Sequence, residues 1–452
     1  MSNLARLGEL KRRGLRGIRH TTVRNALMLY AVQISTFLFP FITLPYLSRV
    51  LSPDKFGLLA YGMSFAWYFY TLTEYGFDLT ATRRVAIHRD NPEEVSRIFN
   101  SVMAAKTLLT ALGFVIMVCV VFAIPKLRPD WPLFLVSFLM VIGGWLFPMW
   151  LYQGVEKLGV VAARDFAAKA LATILIFVLV RKPSDYLLAA ALQSGGMVVA
   201  GVASLITAPL LTRVKFCPPS WADIVQALKE GWPVFLSMAA LSLSGTTNIF
   251  VLGLIAPPAQ VGFYMGAFRL IVAGKALVTP IVTAIYPHVS HMAANSPEAT
   301  VRFLRRYSLV LASPFLVSSV LTLVFAPLIV RLLLGPKFPE TVPLLRIMSF
   351  SPFLLCLSHS FSTYYMLAFG FHKEWSRIIV RSTILNFVLI GPFLAIMRPA
   401  MAVSILSLVL DLYVLSASWW FYRHNTRLTP VSAEVPAGVG ATEQLRGTTD
   451  LP

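Results

Sequence analysis

Apolar stretches long enough to cross a bilayer recur along this chain from near residue 25 to residue 422, and no other feature restricts its fold so severely. A helix rises about 1.5 Å per residue, so about 20 apolar residues span the hydrocarbon layer. Inside that layer every backbone N–H and C=O must be bonded internally, which leaves only helices or closed barrels. Barrel strands alternate in polarity and need only about ten residues each. The runs here are continuous and longer, so the expectation is an all-α polytopic membrane protein. Composition agrees: 57% of the 452 residues are hydrophobic, 13% are charged and the mean hydropathy is +0.72. A water-soluble domain is nearer one quarter charged. About twelve spans are expected, beginning with 25–49, 56–77, 102–124, 131–152, 159–180 and 186–212, and continuing with 232–256, 261–287, 304–330, 341–369, 376–397 and 400–422.

The net charge of +19 is distributed by topology. Roughly 23 of the 39 Lys and Arg fall in the amino-terminal arm, the alternate loops and the carboxy-terminal tail, against about 9 in the opposite loops. That asymmetry puts both termini in the cytoplasm. The arm "RLGELKRRGLRGIRH" is basic and amphipathic, suited to anionic headgroups. No aromatic-basic platform accompanies the charge, so nucleic acid is not an expected partner. The loops on the far side, such as 125–130, 181–185 and 256–260, are too short for an extracytoplasmic domain.

One sequence offset, 205 residues, recurs over a long distance. It carries Pro53 and Gly57 onto Pro258 and Gly262, and Pro92, Glu93 and Arg97 onto Pro297, Glu298 and Arg302. The chain therefore divides into a basic arm (1–24), an N-lobe of six spans (25–212), a cytoplasmic linker (213–230), a C-lobe of six spans (231–427) and a disordered tail (428–452). With an even number of spans in each, the lobes run parallel about an axis along the membrane normal and leave a cleft between them. Pro40, Pro45 and Pro280 fall inside spans and supply bends where one lobe can rock against the other.

A charge in the bilayer centre costs at least about 2.5–3.5 kcal/mol, so a surviving one faces a partner or water. Lys106, Arg346 and Arg381 lie near span ends, where snorkelling suffices. Arg164, Lys169, Arg269 and Lys275 remain, with the acids Asp165 and Asp411. Asp165 and Lys169 share a helix face and either neutralise each other or join the cleft. Arg269 and Lys275 have no acid three or four residues away and are expected to line the cleft, where surplus positive charge selects an anion. Gln33 and Asn248 either line the same cleft or bond between helices. At the end of the second span, "EYGFDLTATRR" sets Glu74 and Asp78 one turn apart before Arg83 and Arg84, either as a membrane-boundary anchor or as a gating ion-pair cluster.

Enzymatic signatures are missing. The chain has no phosphate-binding Gly loop, no Gly-x-Gly-x-x-Gly after a strand, no His-Glu-x-x-His and no Gly-x-Ser-x-Gly. Cys119, Cys217 and Cys356 have no ligand or disulfide spacing, and His288 and His291 read as interfacial, so neither a metal nor an enzymatic activity is expected.

The segments "LPYLSRVLSPDKFG", "EYGFDLTATRR", "FPMWLYQGVEK", "GWPVFLS" and "VGFYMGAFRL" resemble the Wzx-type polysaccharide flippases over roughly residues 20–425. These belong to the multidrug/oligosaccharidyl-lipid/polysaccharide superfamily, together with the MATE antiporters and the peptidoglycan-precursor flippases. The resemblance implies a MATE-like fold and transfer of undecaprenyl-diphosphate-linked repeat units between leaflets for O-antigen, exopolysaccharide or capsule synthesis. It also implies a cation-lined lumen, membrane lipids, a polymerase and other pathway proteins as partners, and no cofactor beyond H⁺ or Na⁺ coupling, for which Asp411 or Asp165 are the candidates. The family's Gln-Gly-x-Glu step matches Gln153, Gly154 and Glu156, and its Tyr-Gly-Phe segment matches Tyr75, Gly76 and Phe77 with Arg83, positions suited to gating. The competing reading is a cation-coupled drug antiporter on the same fold, which calls for an acidic or aromatic cleft.

Overall fold

The computed structural model describes residues 38–428; the basic arm, the tail from residue 429 and Gln33 lie outside the described residues. Among the described residues the chain is helical throughout, without strands. The N half comprises α1 (38–50), α2 (Pro53–Glu74), α3 (Phe77–Ile87), α4 (Pro92–Ala123), α5 (Trp131–Leu146), α6 (Met149–Gly154), α7 (Leu158–Leu179) and α8 (Tyr186–Thr212). The C half comprises α9 (Trp221–Ile255), α10 (Pro258–Ala276), α11 (Val278–Asn295), α12 (Pro297–Leu333), α13 (Thr341–Met348), α14 (Ser351–Phe361), α15 (His372–Ile396) and α16 (Pro399–Leu428). Eight described helical segments are both long enough and apolar enough to cross a bilayer. The other expected spans are helical too over their described residues, but α2 is aromatic and polar and α7 carries Arg164, Asp165 and Lys169. This is a multi-pass membrane protein.

The duplication is visible in the helix starts. The 205-residue offset carries the first residue of α2 onto that of α10, and the first residue of α4 onto that of α12, a proline each time. Proline suits the first turn because its missing N–H has no partner there and its φ is already helical. Ser52 caps α2 through Lys55 N, and Asn91 caps α4 through Glu93 N and Glu94 N. The outer faces match as well: Leu112 and Ile116 of α4 are exposed, and so are their counterparts Val317 and Leu321 of α12, as expected for apolar side chains whose solvent is lipid.

Where α2 and α10 cross, the two halves meet backbone to backbone. A Cβ on Gly57 would sit 1.9 Å from the Pro258 carbonyl oxygen, and one on Gly262 would sit 2.2 Å from the Pro53 carbonyl oxygen. The two repeat-related glycines thus make the same contact reciprocally. Around this crossing Leu47, Leu51, Phe56, Leu334, Phe338 and Val261 form an apolar plug shared by both halves. The Arg49 guanidinium of α1 donates to the Leu332 carbonyl at the end of α12, and Lys126 Nζ donates to the Leu254 and Ala256 carbonyls at 2.8 and 3.1 Å. Loops 125–130 and 256–260 therefore lie at one end of the molecule. The first part of α9 attaches to the N half at the opposite end, through Arg97–Asp223 at 3.1 Å, Arg84–Glu230 at 3.6 Å and stacked Tyr75 and Phe235 rings.

Several expected spans are broken. The eighth kinks at Leu277 between α10 and α11, because Pro280 cannot donate to the Ala276 carbonyl and crowds it. The fourth breaks at Phe147 and Pro148. The tenth is divided into α13, α14 and a π-helical turn, Ser362–Leu367. Residues 38–50, by contrast, run through Pro40 and Pro45 as one helix. Within the expected linker 213–230 the chain is already helical from Trp221.

Candidate functional site

A cavity of about 520 Å³ runs beside α2 and ends at the apolar plug. Helices α1, α5, α7 and α8 complete its N-half wall, and α10 contributes Met265, Arg269 and Val272 from the C half. Most of the wall is apolar, and its ionisable residues are Glu74, Asp78, Asp165, Lys169 and Arg269.

Each charge is set by its local surroundings. α2 ends at Tyr75 and Gly76, both left-handed with φ of 47° and 78°, and α3 starts at Phe77. A side chain at Gly76 would be strained in that backbone and would meet Val234 at 2.6 Å. The turn leaves Glu74 and Asp78 both on the cavity wall. Glu74 accepts from Lys106 Nζ of α4 through both carboxylate oxygens, each at 3.1 Å, and Lys106 donates a further bond to the Gly144 carbonyl at 2.8 Å. Lys106 is fully buried, 0% exposed. This corrects the snorkelling expected of Lys106: its three donors are used inside the bundle, where an ammonium without partners would be costly. Arg346 and Arg381, read the same way, are exposed.

On α7, Lys169 Nζ donates to Asp165 Oδ2 at 2.7 Å across one helical turn, the neutralising pair that their spacing suggested. Arg269 forms no ion pair or hydrogen bond among the described residues, which leaves its guanidinium facing the cavity. Gly144 gives the wall its width, since a Cβ there would meet Tyr70 at 2.5 Å and Glu74 Oε1 at 3.1 Å.

Other expected site residues lie elsewhere. Lys275 was expected to line the cleft, but its Nζ is 3.0 and 2.8 Å from the two carboxylate oxygens of Asp411 on α16, and neither residue lines the cavity. Helix spacing cannot show an acid 136 residues away. Arg164 is likewise off the cavity: its guanidinium donates to Thr207 Oγ1 and, at 3.5 Å, to the Ala203 carbonyl of α8. The cation-lined lumen is thus corrected to a mixed one. Counting Lys106, the cavity has three carboxylates and three cations in or against it.

The residues proposed for gating fasten α3 to α6 at the end away from the plug. Gln153 Oε1 accepts from Thr82 Oγ1 at 3.2 Å, Glu156 pairs with Arg89 at 3.1 Å, and Arg83 is exposed. These contacts lie within the N half, not between the halves. Sequence reasoning missed Lys106, Trp67, Tyr70 and Arg49. For Trp67 and Tyr70 a signal did exist: Met63, Trp67, Tyr70 and Glu74 follow the four-and-three spacing of one helix face.

Comparison with known proteins places this geometry in context. Two curated relatives are each named "Putative O-antigen transporter". One, from Escherichia coli (strain K12), is 29% identical over 406 residues, covering 90% of this chain and 97% of the relative. The other, from Shigella dysenteriae, is 28% identical over 374 residues, covering 82% and 92%. Among solved structures, an inward-facing multidrug resistance MATE family transporter of the MOP superfamily superposes with a TM-score of 0.66 at 14% identity, covering 90% of this chain and 100% of that one. The lipid II flippase MurJ, in an inward closed conformation, gives 0.56 at 13% identity, covering 88% and 87%. At such identities these structures show a shared fold, the MATE-like one the motifs implied. The family model described as "Polysaccharide biosynthesis protein" matches residues 22–293, more than half of the chain, and so the chain belongs to the polysaccharide biosynthesis protein family.

Proposed function

We propose that this protein is a flippase that carries undecaprenyl-diphosphate-linked oligosaccharide repeat units from the cytoplasmic to the periplasmic leaflet by alternating access. The observation that supports this most is a guanidinium, Arg269, that is unpaired among the described residues and lies in a cavity stopped at one end by the plug. A diphosphate entering the cavity meets a planar donor with no competing carboxylate bonded to it, the geometry that favours bidentate recognition of phosphate. The polyprenyl tail stays in lipid. The names of the two curated relatives agree with a polysaccharide cargo. The positive-inside asymmetry makes the plugged end periplasmic, so this conformation receives substrate from the cytoplasm.

The drug-antiporter reading needs a surplus of negative charge. Glu74 and Asp165 are each bonded to a lysine, and the acids and bases of the cavity balance. Arg269→Glu is expected to abolish surface polysaccharide in the source bacterium carrying only that allele, with membrane-inserted protein at wild-type level and lipid-linked repeat units accumulating on the cytoplasmic leaflet. Normal export by this variant, or increased drug sensitivity without any change in polysaccharide, contradicts the proposal. In the same framework Asp165, which lines the cavity in its pair with Lys169, is the candidate for H⁺ or Na⁺ coupling, while Asp411, paired with Lys275, lies outside the cavity. The polymerase and other pathway proteins act downstream as receivers of the flipped unit.

A further inference from the structure

We infer that the stacked Trp67 and Tyr70 rings of α2 form the platform on which a saccharide is held. This rests on the flippase reading and assigns the sugar-binding wall of the same cavity. The two ring centroids are 5.0 Å apart with an interplanar angle of 27°, and both side chains line the cavity. Trp67 is 39% exposed although it lies in the middle of a helix and its neighbours Phe65, Ala66 and Phe69 are buried. Fixing two aromatic rings at a cavity wall while leaving one uncovered supplies a rigid apolar face.

A sugar ring has the complementary surface: C–H groups on one face and hydroxyl donors around its edge. The donors need acceptors beside the rings, and two carboxylates line the same cavity. Glu74 follows Tyr70 by four residues on α2, and Asp78 comes from the start of α3, beyond the Tyr75–Gly76 turn. From Trp67 to Glu74 the helix advances about 10 Å, the length of roughly two sugar rings. Lys106 fixes the Glu74 carboxylate, and an ionised carboxylate can only accept, so its free lone pairs serve hydroxyl donors. Arg269 approaches from α10, in the other half of the molecule, so the diphosphate and the glycan have separate contacts in one cavity. An apolar wall with a few fixed polar groups is the usual construction of a small-molecule site.

The test uses purified full-length protein in nanodiscs, with two ligands: lipid-linked oligosaccharide extracted from the source bacterium, and bare undecaprenyl diphosphate. Trp67→Ala is expected to weaken binding of the glycan-bearing lipid about tenfold and to change binding of the bare lipid less than about twofold. Trp67→Phe should restore most of the loss, and Trp67→Leu, which keeps an apolar side chain but has no ring face, should not. If Trp67→Ala does not fold, the Phe and Leu variants carry the comparison. Equal weakening of both lipids, no weakening of either, or full binding by Trp67→Leu overturns the platform. Saturable ethidium binding lost in Trp67→Ala, with lipid binding intact, overturns it in favour of an organic cation. Failure of the wild type to bind either lipid overturns the flippase reading itself.

Discussion

Charged residues inside this bundle are understood through their partners, and the partners are remote in sequence. Glu74 and Lys106 are 32 residues apart, and Lys275 and Asp411 are 136 apart. Spacing on a single helix finds Asp165–Lys169 but neither of these pairs. Lys106→Met is expected to lower stability by about 3 kcal/mol, because it removes the ammonium that compensates the Glu74 carboxylate in a poorly hydrated site. Glu74→Gln combined with Lys106→Met should recover most of that loss, since a neutral amide no longer needs the ammonium; thermal unfolding in detergent measures both. For Lys275→Glu, two carboxylates would face each other between α10 and α16. Loss of export is then expected together with a lower melting midpoint, whereas the exchange Lys275→Asp with Asp411→Lys should retain much of both.

At the scale of elements, the spans and the repeat were legible because bilayer thickness and backbone hydrogen bonding leave few choices. The offset found from Pro53, Gly57, Pro92 and Arg97 reappears as matched helix starts. Interruptions were less legible: Pro280 produces a kink at Leu277, yet α1 passes through Pro40 and Pro45, since the effect depends on what replaces the lost backbone bond. The α2–α10 crossing gives a direct prediction. Gly57→Ala should force these helices apart, because the obstructing atom is backbone and cannot rotate away. Maleimide labelling of a Leu47→Cys probe from the periplasmic side should increase in that background. Gly195→Ala, with open space around it, should leave labelling and melting unchanged.

For the whole molecule, the fold class, family and mixed helical architecture could be read from the sequence, but the electrostatic balance of the cavity could not. Net charge describes the surface and loops, while the lumen depends on which side chains tertiary packing turns inward. Arg164 and Lys275 turned to helical neighbours, and Arg269 did not. With the plug intact, Phe147→Cys, on the cavity wall away from the plug, should react with membrane-impermeant maleimide in inside-out vesicles and not in intact cells. Extracted lipid-linked oligosaccharide should protect it. Equal labelling from both sides would show that the plug does not seal.

The reciprocal fit of Gly57 on Pro258 and Gly262 on Pro53 makes the junction self-complementary, the kind of surface found between identical subunits of a dimer. A half-length ancestor bearing one such proline and glycine would already have recognised its own copy twice over. In a single chain the same pairing is held covalently, which leaves Arg269 on one half and the aromatic wall on the other, both away from the contact that unites them.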